Sequence, residues 1–535
     1  MRYGEPRCRY AGTWMVSLTL LWCAAAGAAE PATTPLWIRG GQPTKQAIVL
    51  LAQMRAADYY GLHPEDYDAE ALANEVEQLG AMRIKDPETI LRLDRALSAA
   101  TVRFATHLHI GRIDPHTAGF NTFKPRPPLD GSATLRRLAE STDPVAELHA
   151  LEPPFLHYRL LQDALQRYRS LAREPALTDL PPLGSRSLRL GDHYPGAPAL
   201  RRLLRAVGDL NLGENDRDDE LTIDSQLTMA LQQFQTRHAL PPDGVLGATT
   251  FRALSVPLAW RLRQIELTLE RWRWLAPFST PPIIVNIPQF RLFAFRSTED
   301  RAAQMLQMPV IVGRIFPRMR TPVFESEMRY LVFRPYWDVP ASIVRNEMLA
   351  SIHKSPDYLV RNNLELVRGG GDDGRVVEPD AANIEALAAG ELRLRQRPGD
   401  DNALGLVKFV MPNDYNVYLH ATPEQHLFGA TRRAYSHGCI RLGDPAQLAL
   451  HVLQVSGGEW TAEAVTAAMH GSDARRVELQ QPIPVLVLYG TALAKEDGQL
   501  LFFDDIYGHD RRLERLLQRA ARPATLAPVA VRSSP

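Results

Sequence analysis

The spacing of the apolar residues changes near residue 280, and this change constrains the fold more than any other feature. Before it, segments such as "TKQAIVLLAQMRAADYYGL" and "FLHYRLLQDALQRYRSLA" carry apolar residues at intervals of three and four, which is typical of amphipathic helices, with Thr44 and Asp86 as predicted N-caps. After it, segments such as "PPIIVNIPQFRLFAF" and "EMRYLVFRPYWDVP" are rich in β-branched and aromatic residues, which favours strands. A chain of 535 residues is too long to fold around a single hydrophobic core, so the sequence predicts an α+β multidomain protein.

Changes in composition along the chain give the predicted domain boundaries. We predict a signal peptide at 1–28, an α-helical scaffold at 29–198, a small helical module at 199–257, a mainly-β domain at 258–520 and a disordered tail at 521–535. Residues 340–402 form an insertion between strands of the mainly-β domain. Insertions of this length are usually active-site lids or disordered, and we favour a lid that caps the site.

The N-terminus has the layout of a secretory signal peptide. Arg2, Arg7 and Arg9 precede an apolar run at 14–23, and small residues follow near 26–28. The run is shorter than the roughly 20 residues of a transmembrane helix. We therefore expect a secreted protein, with a retained N-terminal membrane anchor as the alternative.

Charge and cysteine content narrow the functional classes. Lys and Arg total 61, as do Asp and Glu, so no overall attraction to nucleic acid is expected. The chain has three cysteines, and cleavage of the signal peptide would remove Cys8 and Cys23. Cys439 would then be unable to form an internal disulfide. It is either a small buried hydrophobe or a reactive thiol.

The stretch "AYSHGCIRL" surrounds Cys439 with groups that suit a nucleophile. A thiol reacts when it is deprotonated and lies near a basic or positive group, and His437, Arg441 and His420 are candidates. His420 follows the predicted strand "NVYL", where its position would be well held. Gly438 would let backbone N–H groups approach a substrate carbonyl and form an oxyanion hole.

The small helical module resembles a known wall-binding repeat. "LQQFQ", "DGVLG" and "TTFRAL" follow one another as in the peptidoglycan-binding type 1 repeat. The resemblance favours a cell-wall location, and the expected partners of the chain are peptidoglycan stem peptides and glycan strands.

The mainly-β domain resembles the YkuD-type L,D-transpeptidases. "HAT" at 420–422 and "SHGCIR" at 436–441 are similar to the catalytic signature of that family, with Ala421 where glycine is common. Segments such as "VNIPQFRLF", "TPVF", "FRPYWDVP" and "DDIYGHD" are similar to the large YcbB-like subfamily. The resemblance implies a helical scaffold, a peptidoglycan-binding module and a mainly-β catalytic domain with a capping insertion.

The resemblance also implies roles for the residues of the motif. Cys439 would be the nucleophile, His420 the base that maintains its thiolate, and His437 an assisting residue. The carbonyl of Ala421 would hold the second nitrogen of His420. The backbone N–H of Gly438 and that of Cys439 would help to stabilise the oxyanion.

The remaining implied roles belong to three polar side chains. Tyr418 would share in stabilising the oxyanion. Ser436 would hydrogen-bond within the loop. Arg441 would position the loop or bind a substrate carboxylate.

The implied reaction is acyl transfer in the periplasm between peptidoglycan stem peptides. The thiolate attacks the diaminopimelate carbonyl of a tetrapeptide stem, expels D-alanine and forms a thioester. A diaminopimelate side-chain amine then resolves the thioester into a 3-3 cross-link. The thioester conserves the acyl-transfer potential, so no cofactor or metal is expected. Other cell-wall synthesis enzymes are the expected protein partners.

Three other interpretations of the same residues stay open. His420, His426, His437 and Cys439 are zinc-ligand types, although no compact zinc signature is present. A cell-wall cysteine peptidase or amidase would use the same thiol with water as the acceptor. A non-enzymatic peptidoglycan-binding protein is the third. Within the family, the acceptor could also be a lipoprotein lysine, a free D-amino acid or water.

Overall fold

The computed structural model describes most of the chain. The described residues are 34–81, 86–120, 126–211, 220–298, 305–355, 357–370 and 374–520. The predicted signal peptide and the predicted disordered tail lie outside these residues. Within the described ranges, every helix is too short or too polar to cross a membrane.

The first half of the described chain is helical, as predicted. A short hairpin, β1 (Ile38–Arg39) and β2 (Gln42–Pro43), precedes it. The helices are α1 (Lys45–Arg55), α2 (Ala69–Ala81), α3 (Pro87–Ile110), α4 (Pro115–Ala118), α5 (Gly131–Glu140), α6 (Pro144–His149) and α7 (Leu156–Ala172).

The predicted N-caps of this half are confirmed. Thr44 Oγ1 accepts a hydrogen bond of 3.2 Å from the N–H of Ala47, and Asp86 Oδ2 accepts one of 2.8 Å from the N–H of Thr89. Each cap satisfies a backbone donor that the first turn of a helix leaves unpaired. The apolar stripes of α1, α2 and α3 then pack into one core.

The described residues of the small module form three helices, α8 (Ala197–Val207), α9 (Ser225–Arg237) and α10 (Ala248–Leu254). Asp224 caps α9 by accepting a 2.8 Å hydrogen bond from the N–H of Leu227. A buried ion pair joins Arg237 to Asp209, and Arg237 also donates to the carbonyl of Leu500 near the C-terminus. Because a buried charge needs a partner, this contact fixes the module against the mainly-β domain.

Helix α11 (Leu258–Arg273) links the helical half to the mainly-β domain. Glu270 accepts hydrogen bonds from the backbone N–H groups of Arg112 (2.5 Å) and Ile113 (2.9 Å) in the scaffold. Arg271 donates to Asp510 across 2.6 Å. Two consecutive residues of this helix are therefore bonded, one to the scaffold and the other to the C-terminal region.

Strands dominate the chain after α11, as predicted. The first four are β3 (Ile283–Asn286), β4 (Arg291–Ala294), β5 (Leu306–Gly313) and β6 (Phe324–Phe333).

The predicted insertion is a folded subdomain, which we call the cap (residues 337–396). Its elements are β7 (Trp337–Asp338), α12 (Ala341–Ile343), a π-helical turn (Val344–Met348), α13 (Leu349–Lys354), α14 (Asp357–Arg361), β8 (Leu364–Arg368), β9 (Arg375–Val377), α15 (Ala381–Ala389) and β10 (Arg393–Gln396). The strands form a sheet in the order β7-β10-β8-β9. Ten buried apolar side chains, among them Ile352 and Leu394, give the cap its own core.

The chain then returns to the main sheet. The later elements are β11 (Val407–Val410), β12 (Leu419–His420), β13 (Ala434–Ser436), β14 (Ile440–Leu442), α16 (Pro445–Val455), α17 (Ala462–Met469), β15 (Arg475–Leu488), β16 (Ala492–Ala494), β17 (Leu500–Phe502) and α18 (His509–Ala520).

The main sheet closes into a barrel. Its strand order is β13-β5-β14-β12-β11-β6-β15-β3-β4, and β4 also pairs with β5. Side chains from these strands and from α16 form the largest apolar core. The predicted fold class, a helical region followed by a small helical module and a mainly-β domain, is confirmed.

Candidate active site

Two short parallel strands bring the predicted site residues together. In the pairing of β12 with β14, Leu419 lies opposite Ile440 and His420 opposite Arg441. Leu419 and Ile440 are fully buried in the core. Because side chains alternate along a strand, His420 and Arg441 point to the other face of the sheet, as does Tyr418, one residue before Leu419.

Cys439 ends a three-residue turn between β13 and β14, the Cys439 turn (residues 437–439). Gly438 has a φ of +126°, a conformation that residues with a side chain rarely adopt. Ser436 Oγ accepts a 3.1 Å hydrogen bond from the N–H of Gly438 and donates a 2.5 Å bond to the carbonyl of Cys439. The Gly438 N–H is therefore already bonded, which differs from its predicted role as an oxyanion donor.

Residues distant in the sequence hold the Cys439 turn through buried hydrogen bonds. Thr321 Oγ1 donates to the carbonyl of Gly438 and accepts from the N–H of Gly313, each at 2.8 Å. Tyr507 donates to the carbonyl of Gly313 at 2.6 Å and accepts from the N–H of Thr321 at 3.3 Å. The backbone around the thiol is thus held on both sides by buried hydrogen bonds.

The thiol of Cys439 is partly buried and surrounded by polar groups. Its Sγ atom lies 3.8 Å from the carbonyl oxygen of Asn416. Burial raises the pKa of the thiol, while hydrogen bonds from the backbone and hydroxyl of Tyr418 and the charges of Lys408 and Arg441 lower it. The net direction is upward, so the thiol is protonated at neutral pH in this structure.

His420 is buried at the end of β12, with 4% of its surface exposed. Its Nδ1 lies 2.6 Å from the carbonyl oxygen of Ala421. Burial, followed by the charge of Arg441, lowers the pKa of His420 to about 3. Among the hydrogen bonds of the described residues, none joins His420 to Cys439, although both lie on the same side of the sheet.

Tyr418 links the thiol to the cap. Its hydroxyl is hydrogen-bonded to Cys439 and to Trp337 of β7, and burial together with the neighbouring thiol raises its pKa. The ammonium group of Lys408 lies 4.3 Å from the centre of the Tyr418 ring. The ring of His420 meets the same ring edge-on, with centroids 5.6 Å apart. Tyr418 is therefore fixed as a neutral donor beside the sulfur.

Two further side chains of the motif, His437 and Arg441, each have an acidic partner. His437 Nε2 lies 2.7 Å from Glu347 Oε1, which belongs to the cap. Arg441 donates through Nη1 to Glu424. The Nε of Arg441 is buried and finds no partner among the described residues. Arg441 therefore retains one unpaired, buried donor.

Several of these contacts were not predicted from the sequence. Asn416, Trp337, Glu347, Thr321 and Tyr507 all touch the site or support it. Trp337, Thr321 and Tyr507 lie in "FRPYWDVP", "TPVF" and "DDIYGHD", segments that resemble the family. The resemblance was thus a signal for these three, but it carried no information about their contacts.

A zinc site is the alternative that the geometry addresses most directly. Among the described residues, no group of three or more His, Cys, Asp and Glu side chains is placed to hold a metal ion. His426 lies on the exposed surface, whereas His420 is buried.

Comparison with known proteins places the site within a known family. The family described as "L,D-transpeptidase catalytic domain" (YkuD) matches residues 281–472, which include the barrel strands from β3 to β14, the cap and Cys439. Residues 281–472 are thus similar to YkuD-type L,D-transpeptidase catalytic domains. The family described as "Putative peptidoglycan binding domain" matches residues 195–254, and one described as "Scaffold domain" matches residues 29–165.

A curated relative supports the same assignment. A protein of Haemophilus influenzae, described as "Putative L,D-transpeptidase", is 31% identical over 252 residues. The match covers 47% of this chain and 49% of that protein. The chain thus spans about half the length of the curated relative that it matches. The narrower YcbB-like assignment stays a prediction.

Proposed function

We propose that this chain is a peptidoglycan L,D-transpeptidase that uses Cys439 to form 3-3 cross-links between stem peptides. The observation that carries the proposal is the position of the thiol inside the matched catalytic domain. Cys439 lies in a turn held by Thr321, beside the hydroxyl of Tyr418 and on the same face of the sheet as His420. This arrangement supplies a nucleophile, a hydrogen-bond donor and a base for acyl transfer.

In the proposed first step, the thiol attacks the diaminopimelate carbonyl of a tetrapeptide stem. His420 is neutral, because its pKa is about 3, and its Nδ1 is held by the carbonyl of Ala421. Its Nε2 is therefore the nitrogen that accepts the proton of the thiol as the carbon–sulfur bond forms. The neutral resting site favours proton transfer during attack over a thiolate that is present beforehand.

The proposed oxyanion donors are the backbone N–H of Cys439 and the hydroxyl of Tyr418. Gly438 contributes by its conformation, because its own N–H is bonded to Ser436. Donors fixed before the reaction stabilise the developing negative charge without further reorganisation. As the tetrahedral intermediate collapses, the proton on His420 passes to the nitrogen of the breaking peptide bond, so D-alanine leaves and the thioester remains.

The other domains and the location are part of the same proposal. The matched binding module is proposed to hold glycan strands, and the unpaired Nε of Arg441 to bind a substrate carboxylate. The cap is proposed to close over the stem peptide. The cell-wall family implies a location outside the cytoplasm, and we propose the periplasm, reached through the signal peptide at 1–28. Other cell-wall synthesis enzymes are proposed partners.

The test is incubation of the purified chain, lacking residues 1–28, with muropeptides that carry tetrapeptide stems. Mass spectrometry of the products should reveal 3-3 cross-linked dimers and one released D-alanine for each cross-link. Cys439→Ala serves as the control and should give neither product. Shortened free peptides without dimers would instead indicate a peptidase, and no change in the muropeptides would contradict the proposal.

A further inference from the structure

The imidazole of His437 is oriented by a carboxylate that comes from the cap. Its Nε2 lies 2.7 Å from Oε1 of Glu347, a residue 90 positions away in the sequence. Both side chains are partly open to solvent, with 30% of His437 and 41% of Glu347 exposed. Among the described residues, Nδ1 of His437 has no hydrogen-bond partner. A carboxylate on Nε2 fixes the proton there and leaves Nδ1 as a lone pair, which is the arrangement of an oriented base.

The position of Glu347 depends on an unusual piece of helix. The residue lies in the π-helical turn Val344–Met348, between α12 and α13. Single π-helical turns are rare and occur often at functional sites. Val344, at the start of the turn, is buried in the core of the cap. The carboxylate is therefore held by the folded cap, although its side chain reaches the surface.

The second half of the proposed reaction needs a base for an amine that arrives from solvent. The acceptor is a primary amine, and such amines have a pKa of about 10.4, so it arrives protonated at neutral pH. It must lose a proton before it attacks the thioester. His420 is buried and its Nδ1 is held by Ala421, whereas His437, two residues before Cys439, is 30% exposed and can meet an acceptor that arrives from solvent.

We propose that His437, oriented by Glu347, accepts the proton of the acceptor amine, so that acylation and acyl transfer use different histidines. Glu347 is then a positioning residue and His437 the base of the second step. This inference rests on the proposed function, because it concerns the fate of the Cys439 thioester.

The acceptor ammonium group gives up two protons in this step. The ammonium group of the acceptor first gives one proton to Nδ1 of His437. The free amine attacks the thioester carbonyl and forms the carbon–nitrogen bond, so its nitrogen becomes positively charged. That nitrogen gives its second proton to the departing sulfur as the carbon–sulfur bond breaks. The products are the amide and the Cys439 thiol, and His437 releases the first proton to solvent.

The experiment compares two nucleophiles on the acyl-enzyme of the full chain without residues 1–28. One is a diaminopimelate-containing peptide, whose amine needs a base. The other is hydroxylamine, whose nitrogen is unprotonated at neutral pH and needs none. Glu347→Gln keeps the size of the side chain and removes its charge. We expect transfer to the peptide amine to slow by about 10- to 100-fold, with hydroxylamine transfer and D-alanine release near the wild-type rates.

Two further variants separate orientation from support of the cap. Glu347→Asp keeps the carboxylate and should restore part of the transfer rate to the amine. Glu385→Gln is the matched control, because Glu385 lies 3.9 Å from His353 in another exposed Glu–His pair of the cap. It should leave all three rates unchanged.

The outcomes are distinguishable from failure of the proposed function. An equal loss of acylation and of transfer to both nucleophiles in Glu347→Gln would mean that the pair only braces the cap, and this would overturn the inference. Unchanged transfer to the amine would overturn it as well. If the wild type releases no D-alanine and forms no acyl-enzyme, the proposed function itself fails.

Discussion

On the barrel side of Cys439, His420 is buried and held by backbone, whereas on the cap side His437 is partly exposed and held by one carboxylate. The first is fixed by strand pairing and by the carbonyl of Ala421. The second depends on Glu347, from a subdomain with a separate core. The position of His420 is therefore set within the barrel, whereas that of His437 depends on the cap, so a change in the cap at Glu347 should affect His437 and leave His420 in place.

The largest effect that would sharpen this comparison is expected at His420. In His420→Gln, the base of the proposed first step is lost while a side chain of similar length remains. We expect acylation of Cys439 to slow by about 10²- to 10⁴-fold, the range of general-base catalysis. D-alanine release in a single turnover measures it. His437→Gln should leave this step unchanged. Equal losses of acylation rate in the two variants would mean that the two histidines do not differ in this step.

The conformation of Gly438 gives the next largest effect. At a φ of +126°, an added Cβ would have room, since its nearest neighbour is the carbonyl oxygen of Arg320 at 3.7 Å, but the backbone would be strained. In Gly438→Ala the turn should shift and move the thiol, with a loss of about 10- to 100-fold in acylation. Gly471→Ala is the control, because its backbone is unstrained and its nearest contact is 3.6 Å. Wild-type acylation in Gly438→Ala would show that the turn tolerates displacement.

Removal of the hydrogen bonds of Tyr507 tests whether they stabilise the backbone around Cys439. Tyr507→Phe leaves the carbonyl of Gly313 and the N–H of Thr321 without this partner, which costs about 1–3 kcal/mol of unfolding free energy. Both the unfolding midpoint and acylation should fall. Tyr194→Phe is the matched control, because it removes a 2.6 Å hydrogen bond to Pro181 outside the catalytic domain. It should lower stability without slowing acylation. If both variants lost stability and acylation to the same extent, Tyr507 would have no specific role at the site.

The smallest expected effect is the dependence of stability on pH. Burial lowers the pKa of His420, and likewise of His107 and His509, to about 3, while an unfolded chain takes up these protons near pH 6.5. The unfolded state therefore binds more protons between about pH 6.5 and 3, so stability falls as the pH decreases through this window. Each histidine should cost about 1 kcal/mol by pH 5.5. Thermal unfolding from pH 7 to 5.5 measures this, and His420→Gln should flatten the slope; identical slopes would contradict the burial argument.

The barrel side was largely predictable from the sequence, and the cap side was not. The strand "NVYL", the motif around Cys439 and the alternation of side chains were enough to predict that His420 and Cys439 lie near one another. Strand pairing is encoded locally, in the period of the apolar residues. The contact between Glu347 and His437 joins residues 90 positions apart and depends on how a folded insertion sits on the barrel, which no local pattern specifies.

The residues that hold the Cys439 turn could not be predicted from the sequence for the same reason. Thr321 and Tyr507 reach the turn from segments 117 and 186 residues away from their partners. The protonation states were also not predictable, because burial depends on packing. The sequence suggested a thiolate maintained by His420, whereas the structure has a thiol with a raised pKa beside a neutral imidazole.

Whether Cys439 is the nucleophile can be read from intact-mass spectrometry of the chain lacking residues 1–28, mixed with a tetrapeptide donor and no acceptor amine. We expect one covalent adduct per chain, with the mass of the donor acyl group without its D-alanine, mapped to Cys439 and absent from Cys439→Ala. An unmodified wild-type chain, or an adduct that persists in Cys439→Ala, would contradict this expectation.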